Sequence, residues 1–383
     1  MPDIIYFDNS ATTGIYPEAL VAMNDVYTSL YANPSSLHKM GSDAEKVLQR
    51  SREIIARTLG ASEQEIYFTS GGTESNNWAI KGVARAHKKR GTHLITSATE
   101  HPSVMECFKY LETEGFSADV LQVDNEGLLC PETLAARVHG GTVLVSFILV
   151  NNETGAIQKA EELIRVIRLS NQKTLIHIDA VQAYGKIPLN LSRLDADLVS
   201  ISSHKIHGPK GCGALFVRRN THILPVLHGG GQEKKLRSGT ENAPAVWAFA
   251  VAAEIIHRQM EMNRNNAAKL KSTIIEGLKQ VFGTGQYAVN SPDNGYEGIV
   301  NIAFPRVKAQ VLMHHLEAEN IFVSVGSACS SHKNTTSHVL KAMNLPKENM
   351  EGAIRLSFSG MNTEQEATRF LEVVQKIIPV IRY

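Results

Sequence analysis

Three short polar clusters each follow an apolar run, and together their residue types could hold a charged ring cofactor. Ser70-Gly71-Gly72-Thr73-Glu74 comes after the strand-like run Glu65–Ser70 and opens a helical stretch. Glycines at such a turn let a ligand approach the backbone N–H groups, and a helix N-terminus favours an anion such as phosphate. Alone, the cluster is equally an ordinary turn; it is not a Walker loop, because no Gly-Lys-Ser/Thr follows. Asp179 ends the run Leu175-Ile176-His177-Ile178, with Gln182 three residues on. A carboxylate there either caps the next turn or faces a ligand, for instance a ring nitrogen that must stay protonated. Ser202-Ser203-His204-Lys205-Ile206-His207-Gly208-Pro209 follows the run Asp197–Ser200. A lysine beyond a buried strand can lose its proton and act as a Schiff-base amine, with Ser202 and His204 as donors to phosphate oxygens. By itself this is also a polar loop with a surface lysine. His204 and His207 lack a third ligand nearby for a metal.

The elements that must position these clusters are seven strands, expected at Glu65–Ser70, His93–Ser97, Ala118–Val123, Thr142–Val150, Leu175–Asp179, Asp197–Ser200 and Gly213–Arg218. Several are apolar throughout, as in strands covered on both faces. Helical spacing between them, as in Thr73–Lys89 and Ala160–Ser170, predicts an α/β fold with a mainly parallel sheet between helices. Ligands in such sheets bind at the carboxyl ends of strands. After about Trp247 a long helical stretch runs towards Phe282, with a bend expected near Asn263–Asn266. It is followed by strands at Gly298–Phe304, Ile321–Val325 and Ala353–Phe358, a helix at Ala309–Glu319 and a final helix from Thr363. The expected organisation is a large domain over 16–257 and a smaller α+β domain built from 1–15 and 258–383.

The length of 383 residues suits two such units, and 43% hydrophobic with 20% charged residues is ordinary for a globular enzyme. A formal charge of +1 gives no electrostatic footprint for nucleic acid or an anionic membrane. Met1–Asp8 lacks the form of a signal peptide and no apolar run reaches membrane-spanning length, so a cytoplasmic location is expected. The cysteines, Cys107, Cys130, Cys212 and Cys329, form no C-x-x-C pair, which argues against a zinc knuckle or a thioredoxin-like dithiol.

Phosphate cradle, ring acid and Schiff-base lysine occur in that order, each just beyond a strand of one expected sheet. The stretch from Asp197 to Phe216, with Ser-Ser-His-Lys followed by Gly-Pro-Lys-Gly-Cys-Gly-Ala-Leu-Phe, resembles the lysine signature of the pyridoxal-phosphate (PLP) dependent class V aminotransferases. Within that group it is most similar to the NifS/IscS-type cysteine desulfurases. The resemblance extends over Phe7-Asp8-Asn9-Ser10-Ala11-Thr12-Thr13, Thr99-Glu100-His101-Pro102, Val150-Asn151-Asn152-Glu153-Thr154-Gly155, Leu236-Arg237-Ser238-Gly239-Thr240 and Val325-Gly326-Ser327-Ala328-Cys329-Ser330.

The resemblance implies PLP as cofactor, with Gly72, Thr73, Ser202 and His204 on its phosphate and Thr240 reaching the phosphate of a neighbouring subunit, hence a homodimer. It implies Asp179 at the ring nitrogen, Gln182 at the phenolic oxygen, His101 stacked on the ring and able to relay protons, and Lys205 as covalent anchor and base. Asn152 and Arg355 would bind the carboxylate of L-cysteine, and Cys329 would take the sulfur as a persulfide for an acceptor protein of the iron–sulfur scaffold or tRNA-thiolation type. Two of these readings have their own support in the residues. Arg355 interrupts the apolar run Ala353-Ile354-Arg355-Leu356, where an unpaired charge is costly, so a ligand or a buried partner is expected. Cys329 lies in a stretch of loop composition, about 326–337, just before the polar run Ser330–Ser337, where a thiol is accessible. The Gly-Ser-Ala-Cys-Ser form resembles the branch with the longer, mobile catalytic loop. Rival readings are a selenocysteine lyase, another class V PLP enzyme, or a non-catalytic scaffold. Asn9, Ser10 and Gly14-Ile15 depart from the common pattern at the N-terminal segment. The sequence ends at Tyr383, where many housekeeping members extend further, which leaves tRNA thiolation or another dedicated sulfur pathway open beside iron–sulfur assembly.

Overall fold

In a computed structural model, which describes residues 4–283, 285–326 and 336–383, the chain is a mixed α/β protein. The strands among the described residues are β1 (Ile5–Tyr6), β2 (Ile66–Thr69), β3 (His93–Ser97), β4 (Ser117–Leu121), β5 (Thr142–Ile148), β6 (Leu175–Asp179), β7 (Leu198–Ser202), β8 (Gly213–Val217), β9 (Ala288–Val289), β10 (Ile299–Ala303), β11 (Ile321–Phe322) and β12 (Ala353–Ser357). Seven of them form the expected sheet in the order β2-β8-β7-β6-β5-β3-β4. Only β8 runs against its neighbours in this sheet.

Adjacent residues of these strands serve opposite cores, which is why the runs are apolar throughout. Tyr67, Leu94, Leu144, Leu198 and Leu215 face a core shared with Trp78, Val83 and Phe108 of the helices Gly72–His87 and Pro102–Thr113. Phe68, Ile95, Val145, Val199 and Phe216 face the other side, packed with Leu163 and Ile167 of the helix Ala160–Ser170 and Phe249 of the helix Ala243–Arg258. A third core gathers Phe7, Val300, Ile302, Ile354, Leu356 and Phe370 around a smaller sheet ordered β12-β10-β9.

Several expected bounds shift, among them β4 at Ser117–Leu121, β5 ending at Ile148 and β11 ending at Phe322, and two further shifts bear on the site and its surroundings. The long helical stretch breaks at Gln259, between the helices Ala243–Arg258 and Met260–Val281, and not at Asn263–Asn266. Asparagine costs a helix only about 0.7 kcal/mol or less per residue relative to alanine, and Asn266 gains a bond from Nδ2 to the Asn362 carbonyl (2.9 Å). Strand β7 begins one residue late and continues to Ser202, so Lys205 ends a single 3-10 turn, Ser203–Lys205, directly off the strand.

The segment that leads to Thr240 is fastened by a buried ion pair. Glu233 takes both guanidinium Nη groups of Arg52 at 2.8 Å and the Phe68 N–H at 3.0 Å, with side chains only 2% and 13% exposed. Arg52→Ala would leave that carboxylate without its cation, so it is expected to cost about 3–5 kcal/mol of stability in chemical denaturation. A loss below 1 kcal/mol would show that the pair does not hold this segment.

Candidate active site

Because β5, β6 and β7 are parallel neighbours, their carboxyl ends lie side by side and present Ile148, Asp179 and Ser202 to one cavity of about 200 Å³. Gly72, Thr73, His101, Asn152, Asp179, Gln182, Ser202, His204, Lys205 and Arg355 all line it. Thr240 is exposed and is not part of this lining. Cys329 lies outside the described residues.

At one end the turn before the helix Gly72–His87 is built for close approach. Gly71 has φ 148°, which disfavours a side chain, and a Cβ on Gly213 would meet Gly71 Cα at 2.7 Å. That helix has no side-chain cap, so its first amides are open to an anion. Ser202 Oγ is buried there without any hydrogen-bond partner. A buried hydroxyl left unmade is costly, and a phosphate oxygen would satisfy it.

Asp179 is held on both oxygens: Oδ2 accepts from Asn76 Nδ2 (2.7 Å) and Oδ1 from the Val181 N–H (3.0 Å). Asn76 also donates to Ser103 Oγ (2.9 Å), which contacts His101 Nδ1 at 2.8 Å. His101 also caps the helix Pro102–Thr113, accepting the Ser103 N–H, while lining the cavity. Burial lowers the His101 pKa despite Asp179 nearby, which favours the neutral ring. Burial and the neighbouring Lys205 likewise bring His204 down to about 4.

Lys205 Nζ donates to the carbonyls of Ser10 (2.6 Å) and Ala11 (2.7 Å). Ser10 also accepts from Gln182 Nε2 (2.9 Å). These are backbone acceptors, so the unusual side chains at positions 9 and 10 leave the contact untouched. Arg355, 2% exposed, has the buried partner expected of it: Nη2 pairs with Asp8 Oδ1 at 2.5 Å and Nη1 donates to the Asn152 carbonyl at 2.9 Å. Its Nε is buried and unpartnered. Sequence reading gave no role to Asp8, Asn76, Ser103 or Lys186, whose partners are mostly far along the chain. Lys186 donates to Gln182 Oε1.

An α/β sheet with a lysine, a carboxylate and an open anion cradle at its carboxyl edge is an arrangement that suits a phosphorylated ring cofactor. The family model "Aminotransferase class-V" matches residues 5–370. The chain is 40% identical over 378 residues to the cysteine desulfurase IscS of Methanosarcina thermophila, covering 99% of this chain and 93% of the relative. It is 42% identical over 375 residues to a NifS/IcsS protein homolog of Lactobacillus delbrueckii subsp. bulgaricus, covering 98% and 97%. A solved NifS-like protein superposes with a TM-score of 0.93 at 38% identity, covering 99% of this chain and all of the other. The chain belongs to the class V aminotransferase family, in its NifS/IscS branch. Members of that family depend on pyridoxal phosphate, and the orphaned Ser202 hydroxyl, the uncapped helix and Lys205 fit that group.

Proposed function

We propose that the protein is a PLP-dependent cysteine desulfurase that converts L-cysteine to L-alanine and leaves the sulfur on Cys329 as a persulfide. The reading rests on one observation above all. Lys205 and Arg355 face the same cavity, in a chain whose relatives along its full length are named cysteine desulfurases. When bound, PLP supplies an electron sink for the pair left at the substrate α-carbon. Ser202, His204, Gly72 and Thr73 would hold its phosphate, Asp179 would keep a proton at the ring nitrogen, Gln182 would address the phenolic oxygen, and His101 would cover the ring. Arg355 takes the substrate carboxylate through its remaining N–H groups, with Asn152 beside it. Lys205, oriented by the Ser10 and Ala11 carbonyls, removes the α-proton and later returns it.

Cys329 then forms a bond to the substrate sulfur as the carbon–sulfur bond breaks. The electron pair of that bond stays with the β-carbon, protons complete the β- and α-carbons, and L-alanine leaves. The outer persulfide sulfur passes to the thiolate of an acceptor protein, of the iron–sulfur scaffold or tRNA-thiolation type. The test is PLP-loaded protein given L-cysteine, with alanine and protein-bound persulfide measured together; equal early yields are expected. Turnover of L-selenocysteine without L-cysteine would move the reading to a selenocysteine lyase. None of the helices among the described residues is long and apolar enough to cross a membrane. A cytoplasmic setting fits a nucleophile that must stay reduced.

We further infer a homodimer, in which Thr240 reaches the phosphate of the second copy. Its support is that Thr240 is exposed, outside the lining of its own subunit's cavity, on a segment braced by Arg52–Glu233 and Arg237–Glu74. Sedimentation of the PLP-loaded protein should give a dimer, with Thr240→Val weakening PLP retention. A fully loaded, active monomer would exclude this arrangement.

A further inference from the structure

Lys186 is a charge placed against the site that the proposed chemistry leaves without a task. It lies one turn beyond Gln182, and its Nζ donates to Gln182 Oε1 at 2.5 Å. Gln182 Nε2 donates to the Ser10 carbonyl at 2.9 Å, the same oxygen that accepts Lys205 Nζ at 2.6 Å. A carboxamide has one acceptor edge and one donor edge, and an ammonium can only donate. Lys186 therefore selects which edge points where: Oε1 turns to the lysine and the NH₂ turns to the cavity. One of its hydrogens goes to Ser10 and the other remains for an acceptor. A flipped amide has almost the same shape, so the orientation is set by two contacts that agree: the Ser10 carbonyl takes the NH₂ edge and Lys186 takes Oε1.

Two groups around Lys186, Lys205 and Arg355, act on it as cations, while burial keeps His204 and His207 neutral near pH 7. Lys205, His204 and His207 come from the turn after β7, Arg355 from β12, and Arg264, paired with Glu297, from the helix Met260–Val281. The Tyr296 ring centre lies 6.0 Å from Nζ. Burial, then Lys205 and Arg355, bring the Lys186 amine down to about 7. Lys186 and Lys205 also both line a second, water-sized cavity of about 20 Å³. A surface lysine would escape such neighbours; this one is kept among them.

We propose that Lys186 is a positioning residue of the cofactor site, fixing the Gln182 amide so that an N–H faces the cavity and placing a positive charge beside Lys205. The proposal rests on the reading of this cavity as the PLP site. Its charge has a second consequence: wherever Lys186 is protonated, the cation makes a protonated nitrogen at Lys205 less favourable, an effect that fades as pH rises through about 7.

The experiment titrates apoprotein with PLP and follows the visible band of the loaded protein against pH. Lys186→Met is expected to weaken PLP about tenfold, the loss of one hydrogen bond to a charged acceptor. It should also move the pH midpoint of the band upward, because a cation has been removed. Lys186→Gln, which keeps a donor for Oε1 but no charge, should move the midpoint and largely spare affinity. Gln182→Leu should weaken PLP comparably, and adding Lys186→Met to it should cost no further affinity. Melting of the apoprotein should be unchanged or higher in Lys186→Met, since a buried amine has been replaced by an apolar side chain. Wild-type affinity and midpoint in Lys186→Met, or affinity losses that simply add in the double variant, would overturn the proposal. Wild-type protein that takes up no PLP would overturn the reading of the cavity itself.

Discussion

Lys205→Ala is expected to bind PLP only reversibly, with no label fixed to the protein by borohydride, and to lose L-cysteine turnover by about 10²–10⁴-fold or more. The reason is that Lys205 has two roles, covalent anchor and base, and no second amine takes its place. Lys186 is near, but its Nζ is committed to Gln182 Oε1 and it is not among the residues lining the main cavity. Lys205 is instead aimed by the Ser10 and Ala11 carbonyls at the end of β7. A borohydride-fixed adduct retained by purified Lys205→Ala would remove Lys205 from the anchor role. It would make Lys186 the amine to map first.

Cys329→Ser is expected to separate sulfur transfer from cofactor chemistry. The variant should keep the visible cofactor band and its change on adding L-cysteine, yet lose persulfide and nearly all alanine, because a hydroxyl is a far weaker nucleophile towards sulfur than a thiolate. The remaining cysteines are poor substitutes. Burial pushes the Cys107 thiol up to about 11 and the Cys212 thiol up to about 12, so neither supplies thiolate near neutral pH. Cys130 is exposed, but its Sγ donates to Glu132 and it does not line the cavity. Serine at each of these three positions should therefore leave turnover close to wild type. Alanine released at the wild-type rate by Cys329→Ser would end the desulfurase mechanism in favour of an elimination that uses no thiol nucleophile.

Legibility in the sequence followed the range of the interactions. Most strands of the large sheet are readable because they are covered on both faces, which leaves mainly apolar runs. Asp179 and the Ser202–Lys205 cluster stand out for the same reason, since the polar residue after such a run marks the carboxyl edge. The edge strand Ser117–Leu121 was placed a residue late because its outer residues are exposed and carry little apolar signal. The helix Lys39–Leu59 was not singled out, although Ala44, Leu48, Ser51 and Ile55 repeat at helical spacing along its buried face. What local pattern cannot show is a partner hundreds of residues away. Asp8 pairs with Arg355 and Asn76 with Asp179, and neither has a neighbour in sequence that announces the contact. Lys186 is hidden differently: its partner Gln182 is only one turn away, but an i, i+4 contact of that kind is common on exposed helices and nothing nearby tells that this amine is enclosed.

The attachment of Lys205 to the carbonyls of Ser10 and Ala11 has a bearing on the order in which the site can come into being. The first strand, β1, pairs with β11, and Asp8 and Ser357 form a bridge, so the opening segment is placed by residues more than three hundred positions later. On a growing chain the strands β2 to β8 can assemble around the helix Gly72–His87 while residues 5–13 still have no sheet to join. Closing so long a loop carries an entropic cost that its contacts must offset only at the end. Residues 5–8 can thus join their sheet only after β12 has emerged, while Thr13 is tied to the His204 carbonyl and the His207 N–H in the turn that follows β7. The lysine is therefore aimed by a segment held on one side by its own turn and on the other by β12.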